Sequence, residues 1–394
     1  MRSILSIAIL AGVALAQDLS SLLTSNEDTT QLATLLGQYP GLLNQINNQP
    51  NLTILAPSNQ ALTIFLDTPF GASLATSDPG IFVAVLQYHI LQGTYPGSAL
   101  GEASIFLPTI LGNESYTNVT PVQVVQAVSQ DDDAEEADVR FISGLGQSST
   151  VVRADVNYTN GIVHVIDTVL TIPADIVTTL VAGNLSSLAG VLNETDLLPT
   201  VNTLQDITVF APNNAAFQSI GSALQNLTTD DISDILLYHV VNGTVGYSSM
   251  LEDGMNLTTA NGEDLTIHIE GDSVFVNGAE VVQADILVAN GVVHVIDNVL
   301  NPESPTASPS ASATSGMPNF SGASSATEPP YTSGVPSPTT TLGGGADEPA
   351  DTGSGGADAS PTDTEGAAMP IRTQAVGVIG AAALFGAGVA FMGV

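Results

Sequence analysis

The sequence predicts an α+β protein built from one module used twice in tandem, followed by a disordered Ser/Thr/Pro-rich stalk. Three observations lead there. Three sequence blocks recur in the same order, the middle block carries a helical period, and the last is a β-branched, alternating run.

The first block, Leu52-Thr-Ile-Leu-Ala-Pro-Ser-Asn-Gln-Ala-Leu62, answers to Ile207-Thr-Val-Phe-Ala-Pro-Asn-Asn-Ala-Ala-Phe217. The second, Leu86-Gln-Tyr-His-Ile-Leu91, answers to Leu236-Leu-Tyr-His-Val-Val241. The third, Val152 to Leu170, aligns with Val282 to Leu300 without a gap, and 12 of the 19 paired positions are identical. The spacing between copies falls from 155 to 150 to 130 residues along the blocks, so the first copy is longer between its second and third blocks. The extra length includes Asp131-Asp-Asp-Ala-Glu-Glu-Ala-Asp138, which reads as a solvated loop: a Ca²⁺ loop needs alternating oxygen ligands and a glycine turn that this run lacks.

Local patterning assigns the elements. Ile232, Ile235, Leu236, His239 and Val240 share one helical face after a capped start at Thr229-Asp230. Its counterpart has Asp78 as cap, Pro79 in the first turn, and Ile81, Phe82, Val85, Leu86, His89 and Ile90 on the face. Both Tyr-His pairs therefore fall on helices, with each histidine on the apolar side. In the third block His294 alternates onto the face of Val292 and Ile296, with Asp297 opposite, as a strand requires. Before it, Leu265–Glu270, Ser273–Val276 and Ala279–Val282 are separated by Gly271-Asp272 and Asn277-Gly278, two hairpin turns that predict an antiparallel meander.

The two ends carry processing signals. Met1-Arg2-Ser3, the apolar run Ile4 to Ala14 and the small-x-small Ala14-Leu15-Ala16 read as a signal peptide over 1–16. Ala375 to Val394 is apolar or small throughout; with the polar spacer Thr364 to Thr373 and small residues between Gly353 and Gly366, residues 367–394 read as a glycosylphosphatidylinositol (GPI) signal with its hydrophobic tail. The domain expectation is therefore 17–172 for the first module, 173–302 for the second, and 303–366 for the stalk, whose Ser/Thr/Pro/Gly composition cannot bury enough apolar surface to order itself.

Composition removes whole classes of function. With 4 Lys+Arg against 39 Asp+Glu, a net charge of −35, nucleic acid is excluded as a partner and anionic lipid is disfavoured as a docking surface. Cysteine is absent, so neither a disulfide framework nor a thiol nucleophile exists, and the modules must stand on packed cores. No Gly-x-Ser-x-Gly elbow, His-Glu-x-x-His pair or phosphate-cradling glycine loop occurs; Asp351-Thr-Gly353 is single and sits in the stalk. No catalytic residue, cofactor or metal site is expected. His89, His164, His239 and His294, although repeated, are expected to be core residues bonded to backbone, and Asp167 and Asp297 fold-stabilising acceptors.

The Thr-hydrophobic-hydrophobic-Ala-Pro-x-Asn block, the helical Tyr-His and the Asn-Gly-x-Val-His-x-Ile-Asp strand, in that order and in duplicate, resemble the fasciclin domain over about Asp18 to Leu300. The resemblance implies two fasciclin-type modules, each a β-sandwich-like wedge plus helices, in a protein of fungal cell-surface type. Ala56, Pro57 and Asn59, Ala211, Pro212 and Asn214, and His164, Asp167, His294 and Asp297 become fold-motif positions. It also implies cell adhesion or attachment to matrix, with Tyr88, His89, Tyr238 and His239 as the candidate interaction motif; no Arg-Gly-Asp is present.

Ten Asn-x-Ser/Thr sequons are glycan acceptors in a secreted chain: Asn51, Asn113, Asn118, Asn157, Asn184, Asn193, Asn226, Asn242, Asn256 and Asn319. Asn51, which leads directly into the first block, is the one expected to stay bare. The functional expectation is a non-enzymatic, GPI-anchored surface glycoprotein whose tandem modules contact cell-surface or matrix proteins or wall glycans. The alternatives are a structural wall or glycan-binding component, and, further off, a surface hydrolase or a vacuolar membrane protein.

Overall fold

The structure, a computed structural model, describes residues 17–72, 79–130, 138–304, 319–320, 322–338 and 340–343. The signal peptide, residues 131–137 of the acidic loop, Asp78 and the GPI signal lie outside the described residues.

In the first module β1 (Leu52–Pro57) is buried along its whole length because Leu52, Ile54 and Ala56 face the helix-side core and Leu55 the barrel interior. It runs antiparallel to β2 (Ile90–Gln92) and parallel to β7 (Gly161–Ile166). A strand covered on both faces reads as a continuous apolar run, which is why Leu-Thr-Ile-Leu-Ala-Pro shows no alternation. From β7 the sheet continues through β6 (Ser148–Tyr158), β5 (Asp138–Ile142) and β4 (Val124–Gln130) to β3 (Ile105–Pro108). A further bridge between Leu91 and Thr109 brings the far edge back toward β2, so the wedge is one barrel-like sheet.

The second module repeats this: β9 (Val240–Val241), β8 (Ile207–Pro212), β14 (Gly291–Ile296), β13 (Ala279–Val288), β12 (Ser273–Val276), β11 (Asp264–Glu270) and β10 (Asn256–Thr258), with Val241 bridging Thr259. The meander follows the two turns read from sequence. At the start of β7 and β14, Gly161 and Gly291 are needed because a Cβ would lie 1.9 Å from Leu52 O or Ile207 O of the parallel neighbour.

Helices cover one side of each sheet: α1 (Leu19–Ser25), α2 (Thr30–Gly37), α3 (Pro40–Asn48), α4 (Asn59–Asp67) and α5 (Pro79–Tyr88), then α6 (Ile176–Ala182), α7 (Ser186–Glu194), α8 (Leu198–Thr203), α9 (Asn214–Ser219), α10 (Gly221–Leu224) and α11 (Thr229–Tyr238). The α11 start falls one residue before the expected cap: Thr228 accepts from Asp231 N–H while the Asp231 carboxylate accepts from Thr228 N–H, a complete capping box. Each module has two apolar cores, one between helices and sheet and one inside the barrel, the latter around Tyr88 and Phe141 or Tyr238 and Phe210.

The modules meet at a seam. Phe106 of the first stacks on Tyr247 of the second at 4.0 Å, and Val124, Leu287 and Val292 are buried around them. Thr120 donates from N–H (2.7 Å) and hydroxyl (2.5 Å) to Asp206, and Thr117 and Asn118 donate to Ala289 O. Within the segment read as stalk, Phe320, Tyr331 and Leu342 pack against the helical core of the second module.

Candidate functional site

The repeated Tyr-His pairs are the first candidates, and the structure places all four side chains inside the modules. Helices α5 and α11 end at the tyrosines, and each histidine follows as the first residue off the helix; His239 is its C-cap. Tyr88 and Tyr238 are fully buried. Their hydroxyls reach across the barrel, Tyr88 to Val124 O at 2.9 Å and Tyr238 to Asp264 O at 3.0 Å, with Asn277 Nδ2 donating to Tyr238 Oη at 3.0 Å. Burial raises both phenol pKa values.

His89 accepts the Leu170 N–H at Nε2 (2.9 Å), which leaves Nδ1 protonated to donate to Val85 O at 2.7 Å. His239 does the same with Leu300 N–H (2.9 Å) and Ile235 O (2.7 Å). Each imidazole thus ties a helix end to the segment that follows the last strand. Burial holds both neutral, with pKa pushed down to about 4. Because these side chains are enclosed and fully bonded, the folded modules do not present them to a partner; a contact at this place must use the surface around them.

The strand histidines use the opposite tautomer. Asp155 N–H donates to His164 Nδ1 (3.3 Å), so Nε2 donates to Tyr95 O (2.9 Å); Asp285 N–H and Gly246 O make the same pair with His294 at 3.3 and 2.8 Å. Burial lowers the His294 pKa. Asp155 and Asp285 sit at β-bulges with φ of 57° and 64° and turn their carboxylates back onto Gly97 N–H and Ser248. These two aspartates match in the aligned third block, which is the signal by which sequence reasoning could have found them.

The remaining motif residues are equally committed. Asn59 Oδ1 accepts from Gln31 N–H (2.9 Å) while Nδ2 donates to Glu27 O (2.7 Å); Asn214 does so with Ser187 N–H (2.9 Å) and Asn184 O (2.8 Å). Ala56 and Ala211 are fully buried at the ends of β1 and β8, next to Pro57 and Pro212. Asp167 accepts from Thr150 N–H and Asp297 from Glu280 N–H, both at 2.8 Å, pinning β6 and β13. Among the described residues no group of three or more His, Cys, Asp or Glu could hold a metal ion, and no helix is long and apolar enough to cross a membrane.

The seam carries a cleft of ≈ 370 Å³, walled by Pro108, Val119, Pro121, Tyr247 and Met250, with Asp206 as its carboxylate. That carboxylate is already engaged by Thr120, so the cleft offers apolar contact rather than proton transfer. Of the sequon asparagines, Asn118 is partly covered at the seam and Asn319 is buried, 5% exposed, whereas the other eight, Asn51 included, are exposed.

The fasciclin domain profile matches residues 27–173 and 183–302, which together take in most of the chain. The chain belongs to the fasciclin-domain family. A fasciclin-like arabinogalactan protein of the fungus Arthroderma benhamiae is 34% identical over 337 residues, 85% of this chain and 79% of that protein. The cell surface glycolipoprotein MPB83 of Mycobacterium bovis is 40% identical over 121 residues, 30% of this chain and 53% of its own length. Among solved structures, the FAS1 domain pair of the insect cell adhesion molecule fasciclin I aligns over 71% of this chain and 99% of that chain, at 21% identity and a TM-score of 0.36. Asn59 and Asn214, and Asp167 and Asp297, make equivalent bonds in the two modules.

Proposed function

We propose that this fasciclin-domain protein is a non-enzymatic, GPI-anchored glycoprotein of the outer cell surface, whose tandem modules mediate adhesion to cell-surface or matrix proteins or to wall glycans. The observation that carries this reading is that every repeated polar residue is spent on holding the modules together. What the chain turns outward is a broad, acidic surface dotted with exposed sequons. Such a surface suits weak contacts multiplied by two modules and many copies, not one deep site. The fungal relative and the surface glycolipoprotein lend support, as do the signal-peptide and GPI patterns of the two ends.

The test is immunodetection of an internally tagged chain on intact cells before and after phosphatidylinositol-specific phospholipase C. Release of a glycosylated protein into the medium is the expected result. Retention in a detergent-soluble membrane fraction would sink the lipid anchor and point to residues 375–394 as a span, with an internal membrane as the working site.

A further inference from the structure

The described residues of the segment from Asn319 to Gly343 do more than leave the second module. Ala326 N–H donates to Gln218 O at 2.8 Å, Gln218 Nε2 returns to Ala326 O and Thr327 O, and Ser324 and Ser222 exchange bonds at 2.7 and 3.0 Å. Tyr331 lies over α7 so closely that a Cβ at Gly190 would be 1.7 Å from its carbonyl oxygen, and a Cβ at Gly221 would be 2.4 Å from Ala326 Cβ. At the matching places the first module has Thr34 and Leu66, so only the second carries the glycines this path requires. At its far end Leu342 N–H bonds Ala182 O of the second module, and Gly343 N–H bonds Leu145 O of the first. The segment is therefore a clasp across the seam.

Its first described residue is a sequon asparagine. Asn319 Nδ2 donates to Val299 O at 3.1 Å, Asn301 Nδ2 donates to Asn319 O at 3.1 Å, and the buried Asn319 Oδ1 has no partner. N-glycosylation bonds the anomeric carbon of an oligosaccharide to this Nδ2, which gives up one hydrogen as a proton while a lipid diphosphate departs from that carbon. Asn319 is 5% exposed and its Nδ2 already bonds Val299 O, so a sugar on that nitrogen must displace what covers it. We propose that Asn319 is a modification-controlled latch: the clasp seats only while Asn319 is bare, and a glycan there releases the segment from both modules. The proposal rests on the secretory reading above.

The test compares the full chain and its Ser321→Ala variant, both secreted from one fungal host, by glycopeptide mapping and amide hydrogen exchange. In Ser321→Ala, Asn319 stays bare, and the Ala326 and Leu342 amides are expected to be protected; unprotected amides there would overturn the clasp. In the parent chain, molecules glycosylated at Asn319 are expected to lose that protection, and a fully bare Asn319 is expected with protection equal to that of Ser321→Ala. A chain occupied at Asn319 yet still protected would overturn the latch. Gly190→Val, which leaves the sequon intact, is expected to remove protection even when Asn319 is bare; retained protection would overturn the seat. Absence of glycan from every sequon would sink the secretory reading, while Ser321→Ala and Gly190→Val still judge the clasp.

Discussion

Lowering the pH from 7 to 5 should destabilise both modules through His89 and His239, and the size of the effect follows from their environment. An imidazole in the unfolded chain takes up its proton near pH 6.5, whereas each of these, held between a backbone carbonyl and a backbone N–H, does so only near pH 4. Between those values the unfolded state binds more protons than the folded one, so stability falls as pH drops. The contribution is intact above pH 6.5 and fully lost below about 4. Linkage over that window puts the loss at pH 5 at about 2 kcal/mol per histidine. Urea unfolding of the two-module protein at pH 7, 6 and 5 reads it directly. His239→Leu should be weaker at pH 7, by about 1–3 kcal/mol for the stranded Leu300 N–H, but its stability should fall less steeply with pH. A variant that is weaker yet shares the parent's pH slope would refute the assigned protonation, since a purely steric role does not depend on pH.

Three further outcomes follow from the same geometry. Asn214→Ala strands Ser187 N–H and Asn184 O and should cost about 1–3 kcal/mol in denaturant unfolding, as should Asn59→Ala in the first module. Gly291→Ala drives a Cβ against Ile207 O and should cost several times more than Gly243→Ala, which forces an L residue to φ 80° but meets open space; thermal melts compare the two. Tyr247→Ala removes the ring stacked on Phe106, by about 3–5 kcal/mol, and should split one calorimetric transition into two as the modules uncouple.

Much of this architecture was legible because its signals are local and duplicated. The meander over 264–288 follows from Gly271-Asp272 and Asn277-Gly278, turns that need no distant partner. The helical period placed His89 and His239 on an apolar face but not at the helix end, because the groups that fix them, Leu170 and Leu300, are remote in sequence and bond through backbone. The seam escaped for a different reason: Phe106 and Tyr247 occur once each, so the repeat does not flag them. The clasp is fainter still. Phe320, Tyr331 and Leu342 are isolated apolar residues in a Ser/Thr/Pro/Gly background, and Tyr331 and Leu342 sit against glycines, Gly190 and Gly183, whose purpose shows only in space. Likewise Asn51 is exposed at its turn although it abuts a buried strand, while Asn319 is buried within a segment of loop composition.

Adhesion of intact cells, counted on a layer of the same cells before and after phosphatidylinositol-specific phospholipase C, tests the central claim most directly when strains with and without the chain are run side by side. The enzyme should lower attachment of the carrying strain to the level of the deletion strain, which itself should not respond. Equal attachment of the two strains before treatment would contradict it.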